Sequence, residues 1–303
     1  DLLIRHADQA MYQAKQAGKN RFHLFDVAHD IAVKTQREET ARIRQGLQDG
    51  EFVLHYQPKV NMRTGAVIGA EALIRWQHPE RGLLAPAAFL PSIENHPICI
   101  DVGEWVIATA LRQMADWKAQ GLDVPVSVNI DAMQLQKEGF SQRLSQLLDQ
   151  QPQVPARWLC LEILETNALE DIALVSDIMR RCQALGVRFA LDDFGTGYSS
   201  LTYLKRLGAE EIKIDQSFVR DMLVDPDDLA IVQGVIGLAQ AFHRNVVAEG
   251  VETVEHGARL LPLGCHLAQG YGIARPMPAQ DLAQWAAQWE PHPTWTQQTE
   301  AAS

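Results

Sequence analysis

From Phe52 onward one rhythm repeats: a short run rich in β-branched and aromatic residues, a longer amphipathic stretch, then another short run. The runs fall at Phe52–Pro58, Val67–Trp76, Val126–Ile130, Trp158–Leu164, Arg188–Leu191, Glu211–Ile214, Val246–Ala248 and His266–Tyr271. Most gaps hold a helical pattern such as GEWVIATALRQMADWKAQG or DDLAIVQGVIGLAQAF. Strands separated by helices of that length pair in parallel through crossover connections. Eight of them within about 240 residues fit a closed β/α barrel better than an open sheet. Only KVNMRTG separates the first two, too short for a crossover helix, so that pair is expected to be antiparallel. The expected fold class is therefore α/β, a modified (β/α)8 TIM-like barrel with one antiparallel strand.

That frame gives meaning to polar residues lodged in apolar runs. Gln57, Glu71, Asn129, Glu162, Asp192, Lys213, Glu249 and Gln269 each sit near the expected carboxyl end of a different strand. In a β/α barrel those ends converge on one face, where the chemistry takes place. A single polar residue at a strand end is usually a cap or a satisfied core group, but eight in eight strands are not explained that way. Burying a lone carboxylate costs several kcal/mol unless a positive charge meets it, so the acids of LEILETNALE and FALDDFGTGYSS require a cation.

Glu71, Glu162, Asp192, Asp193 and the amide of Asn129 are oxygen donors with no His or Cys among them, which points to a hard cation, Mg2+ or Mn2+. In the pair Asp192-Asp193, one carboxylate could bridge two ions while its neighbour holds the second. Two ions clamp the attacking and leaving oxygens of a phosphodiester. Lys213 adds a fixed positive charge for developing phosphorane oxygens; alone it would read as a buried ion-pair partner. Glu249 is the remaining carboxylate near the expected water and the best general-base candidate. After the acids, Gly195 and Gly197 permit backbone conformations other residues resist, and Thr196, Ser199 and Ser200 can cap the next helix.

Charge and cysteine content restrict the partners. The net charge of −11, from 38 acidic against 27 basic residues, argues against a binder of duplex nucleic acid. Cys99, Cys160, Cys182 and Cys265 show no CxxC spacing and lie in apolar surroundings, as reduced core thiols of a cytoplasmic protein do. No apolar run approaches the roughly 18 residues that span a bilayer, and no membrane contact is expected of this stretch.

The ordered motifs YQPK, EALIRW, SVNID, LEILE, LDDFGTGYSSL, IKID, AEGVE and QGYGIARPMP resemble those of EAL-domain phosphodiesterases, over residues 51 to 289. That family hydrolyses the bacterial messenger cyclic di-GMP to linear pGpG. The resemblance implies a modified β/α barrel needing Mg2+ or Mn2+, two ions in all, and members that often form homodimers. By position it implies metal ligation by Glu71, Asn129, Glu162 and Asp192, with Asp193 on the second ion. Glu249 would act as general base, or hold that ion through water, and Lys213 would position the water. Gln57, Leu73, Arg75, Asp215, Glu252, Gln269, Tyr271 and Pro276 fall where the family contacts phosphates and guanines, and Glu165 where it anchors the loop 195–200 that carries Thr196. Leu164 departs from the family, which commonly has Thr there; it is not an expected ligand.

Residues 1–31 resemble the last helix and strand of a GGDEF (diguanylate cyclase) domain, through ADQAMYQAKQAGKNRFHLF. The expected organisation is this remnant at 1–31, a linker helix at 32–50, the barrel at 51–290 and a disordered tail at 291–303. Two other functions compete. A nucleotide sensor would hold cyclic di-GMP without cutting it, but has no need of the full acidic set. A metal-dependent isomerase or lyase acting on a sugar phosphate could use Lys213 to abstract a carbon-bound proton.

Overall fold

The structure, a computed structural model, describes residues 27–165, 171–197 and 201–296. The GGDEF-like stretch up to residue 26, Ser199, Ser200 and the tail from 297 lie outside these. A helix, Val27–Gln48, leads into β1 (Phe52–Asn61) and β2 (Val67–His78). The hairpin between them pairs antiparallel, with Gln57 opposite Glu71 and His55 opposite Leu73. Its loop closes on Asn61, whose Oδ1 accepts from the backbone N–H groups of Arg63 (3.0 Å) and Thr64 (3.1 Å). Gly65 follows at φ +73°, with Pro291 packed where a Cβ would stand, so two constraints require glycine there.

The remaining barrel strands are β4 (Val126–Asn129), β5 (Leu159–Leu164), β6 (Arg188–Phe194), β7 (Glu211–Ile214), β8 (Asn245–Ala248) and β9 (Leu267–Ala268). β2 pairs parallel with β4, and from β4 through β9 each strand pairs parallel to the next. β1 pairs antiparallel with both β2 and β9 and closes the ring. Val126, Val128, Leu159, Leu161, Phe189, Ile212, Ile214 and Val247 are almost wholly buried, as expected for strands covered on both faces.

Two strands escaped the periodicity, β3 (Gly82–Leu84) and β10 (Met277–Pro278). Both lie outside the ring, β3 on the far end of β2 and β10 on β1. They are too short to show alternation. β2 is consequently longer than the barrel wall, so Glu71 lies in its first half; Gln57 stands opposite, mid-strand in β1. Neither occupies the strand end expected for it, because β1 runs against the others and β2 continues past the rim. β9 is also shorter than the expected His266–Tyr271. The chain turns out at Gln269, and Gly270 packs so closely on Val251 that a Cβ would lie 2.2 Å from its carbonyl oxygen.

Two terminal segments dock on the barrel. Nη2 of Arg42, on the helix Val27–Gln48, donates to both carboxylate oxygens of Glu51 (2.9 and 2.8 Å), and the guanidinium stacks over Trp76, whose indole N–H donates to the same carboxylate at 2.7 Å. At the other end the expectation of disorder fails for 291–296. Trp295, in the turn Pro293–Thr296, is 3% exposed, packs against Gly257 and donates to the Val254 carbonyl at 2.9 Å. Burial of that ring and its satisfied N–H outweigh the polar composition around it. All four cysteines are buried and unpaired, and burial pushes each thiol up to about 12.

Candidate active site

The cation that the buried acids require is Lys213. Its side chain rises from β7 into the barrel mouth, wholly buried. Nζ lies 2.7 Å from Glu162 Oε2, 2.8 Å from Glu249 Oε1, 3.0 Å from Asp192 Oδ1 and 3.4 Å from Glu71 Oε2. Four strands thus deliver four carboxylates around one ammonium. Glu71 is held further by Asn129, whose Nδ2 donates to Oε1 at 2.7 Å, and by Gln269, whose Nε2 donates to Oε2 at 2.7 Å. Gln269 also donates to Gln57 Oε1 at 2.9 Å, and Gln57 donates to the Ala274 carbonyl at 3.0 Å. The amides line up as donors around the acids, while Gln269 Oε1 is buried without a hydrogen-bond partner.

The charge states follow from this crowding. Burial, and the neighbouring carboxylates, raise the pKa of Glu71 and Asp192 and push Glu249 well up, against the pull of Lys213. Glu162 is different. Burial would raise it too, but two ammonium groups, Lys213 and Lys59, hold it below the usual carboxylate range. Lys213 is desolvated yet stays firmly protonated because the acids surround it.

Consecutive strand residues point to opposite faces, so Asp192 and Asp193 should diverge. They do not. Asp193 adopts φ +52°, a left-handed conformation, within an irregularity of the β6–β7 pairing. Its carboxylate comes round to join those of Asp192 and Glu249, with oxygens of all three within 4.8 Å of one another. Glu71, Glu162 and Asp192 form a second set at the same spacing. Asp192 belongs to both. Burial, then the charges of Asp192 and Asp215, raise Asp193 to about 7. Both sets fit divalent ions: the donors are all hard oxygens, they repel one another unless a cation intervenes, and a single ammonium now occupies the space between them.

The turn after β6 is tied to β5. Glu165 Oε2 accepts from the backbone N–H of Gly195 at 2.9 Å and more loosely from Gly197 at 3.4 Å. Thr196 closes the turn by donating its hydroxyl to the Asp193 carbonyl at 2.8 Å. A cavity of about 440 Å³ opens beside the acids, and Gln57, Leu73, Arg75, Glu252, Gln269, Tyr271 and Pro276 all reach it. Asp215 is not among its lining. Its carboxylate caps the helix Gln216–Asp221 by accepting from Ser217 N (2.9 Å), and its charge is among those that raise Asp193.

Two ionic residues of the interior, Lys59 and Glu211, escaped sequence reasoning; they pair with each other at 3.0 Å. Lys59 is buried on β1, with Nζ 3.4 Å from Glu162 Oε1. The signal was a lysine inside a strand, two residues from Gln57 and so on the same face.

An acid-lined β/α barrel, its carboxylates gathered at one mouth beside an open cavity, is the class of protein defined by this fold and site. The sequence model of the EAL domain matches residues 40–276, and the chain belongs to that family. It is 41% identical over 281 residues to the bifunctional diguanylate cyclase/cyclic di-GMP phosphodiesterase MucR of Pseudomonas aeruginosa, covering 92% of this chain and 41% of that protein. It is 38% identical over 283 residues to the cyclic di-GMP phosphodiesterase PdeR of Escherichia coli, covering 93% of this chain and 42% of that one. The chain therefore spans under half the length of these relatives. Among solved structures, a MucR phosphodiesterase in complex with c-di-GMP superposes with a TM-score of 0.78 at 41% identity, covering 81% of this chain and 99% of that one.

Proposed function

We propose that this chain is a metal-dependent phosphodiesterase that opens cyclic di-GMP to linear pGpG. The observation that carries the reading is the complete oxygen cage: two overlapping carboxylate sets that share Asp192, beside a cavity reached by seven of the expected substrate contacts. Membership of the EAL family and the relatives named for this activity support it. Glu71, Asn129, Glu162 and Asp192 would hold one divalent ion, Mg2+ or Mn2+, and Asp192, Asp193 and Glu249 would hold or face the other. Asn129 would present its carbonyl oxygen rather than the NH2 now turned to Glu71. Bound there, such ions neutralise phosphate charge and acidify water.

The chain's own residues account for the rest. Glu249, partly buried and made more basic by its surroundings, would take the proton of the attacking water. Lys213 supplies a fixed ammonium for the charge that develops on the phosphoryl oxygens. Arg75, on the cavity wall, meets a second phosphate and offsets the −11 charge of the chain. Leu73, Tyr271 and Pro276 offer apolar surface to the guanines, and Gln57, Gln269 and Glu252 polar contacts. Asp215 acts through Asp193 and the helix it caps. Glu165 and Thr196 hold the turn that aims Asp193. We include in the proposal self-association of barrels into a homodimer, and the reading of residues 1–31 as the end of a GGDEF domain joined by a linker helix.

The test is direct. Incubation with cyclic di-GMP and Mn2+, resolved by chromatography, is expected to yield pGpG, and chelation is expected to stop it. Binding without any cleavage would make the chain a nucleotide sensor and refute the proposal.

A further inference from the structure

Below the cage lies a second ionic layer that the proposed chemistry does not use. Lys59 Nζ sits 2.6 Å from Ser127 Oγ, 3.0 Å from Glu211 Oε1 and 3.4 Å from Glu162 Oε1. Each of these groups is buried, and three stand two residues from a member of the upper layer: Lys59 from Gln57, Ser127 from Asn129, Glu211 from Lys213. Side chains two apart on a strand share a face, so the barrel interior stacks a lower layer beneath the acids. Glu162 joins the two. One carboxylate oxygen faces Lys59; the other faces Lys213 and the cage.

We infer that Lys59 is a positioning residue for metal binding: by holding Oε1 of Glu162 from below, it turns Oε2 into the cage. The inference rests on the reading of the cage as a divalent-cation site. Its logic is a division of labour between two ammonium groups. Lys213 is shared among four carboxylates, all of which a cation would compete for. Lys59 is committed elsewhere, to Ser127 and Glu211, and of the cage acids it pairs with Glu162. When a cation draws the acids toward itself, Lys59 keeps Glu162 fixed in direction, one oxygen held from below and the other left to the cage. Groups that orient a metal ligand from behind usually govern affinity more than chemistry.

The test measures Mn2+ binding by the paramagnetic resonance of the free ion, with no turnover involved. Lys59→Met alone leaves Glu211 buried without its cation and is prone to unfold. The paired variant Lys59→Met/Glu211→Gln removes both charges together, and its fold is checked by circular dichroism and melting. It is expected to weaken Mn2+ binding by about 10- to 100-fold, while kcat at saturating Mn2+ stays near wild type. Glu211→Gln alone, which keeps Lys59 on Glu162, is not expected to weaken binding. In a Glu162→Gln background the paired change should add no further loss, because its effect runs through that carboxylate. Unchanged affinity in the paired variant, or an equal loss in the Glu162→Gln background, overturns the inference. A wild-type chain that binds no Mn2+ overturns the cation-site reading as well, so the two failures are distinct.

Discussion

Replacing Lys213 with methionine probes the electrostatics of the barrel mouth most severely. The side chain is of similar length but carries no charge, so Glu71, Glu162, Asp192 and Glu249 lose the ammonium that now lies within 3.4 Å of each. Removing one partner from a buried ion pair costs about 3–5 kcal/mol, because the abandoned charge stays desolvated. For a chain of this size each kcal/mol moves the melting midpoint by about 2–4 °C, so a drop of roughly 6–20 °C is expected without divalent ions. Scanning calorimetry in chelator, then with Mn2+, is the assay. Added Mn2+ should stabilise the variant more than the wild type, because it becomes the main counter-charge for the same acids. Turnover should be lost even where stability is recovered. An unchanged midpoint in chelator would refute the argument that Lys213 balances the cage, and so would a smaller Mn2+ effect in the variant.

Other outcomes follow from the same geometry. Glu249→Gln should abolish hydrolysis while cyclic di-GMP still binds, whereas Arg75→Ala should mainly raise KM; steady-state kinetics and calorimetric titration separate the two, and retained kcat in the first would remove Glu249 as base. Trp295→Ala should cost about 3–5 kcal/mol, the usual loss for a buried aromatic, which denaturant melts would detect; no change would mean that the C-terminal turn does not dock. Glu165→Ala removes the acceptor of the Gly195 and Gly197 amides, and should weaken Mn2+ binding with little change in melting temperature; ion titration checks it.

How much of this was legible in the sequence differs by layer. The barrel strands could be read because continuous apolar runs such as those around Val126 and Leu161 carry a strong burial signal. β3 and β10 could not, since their pairing depends on β1 and β2 extending past the ring. The cage acids were visible as charges in apolar runs, which is costly unless functional. Glu71 and Gln57 were recognised as site residues but misplaced along their strands, because strand length is a tertiary property. The convergence of Asp193 on Asp192 was legible only as adjacency: the positive φ that brings them together is set by the fold. Lys59 hid in plain sight, its partners Ser127 and Glu211 being 68 and 152 residues away. The docking of Trp295 on Gly257 escaped for the same reason, since a lone aromatic in a polar tail has no periodicity to announce it.

The proposed chemistry requires acids from separate strands to gather divalent cations at one end of the barrel. Crystals of the chain grown with Mn2+ and cyclic di-GMP, mapped by the anomalous scattering of manganese, test this most directly. Two peaks are expected, one among Glu71, Asn129, Glu162 and Asp192 and one beside Asp193 and Glu249, with Lys213 next to them and a substrate phosphate between. Manganese elsewhere, or nucleotide bound in the cavity with no metal at these side chains, would contradict it.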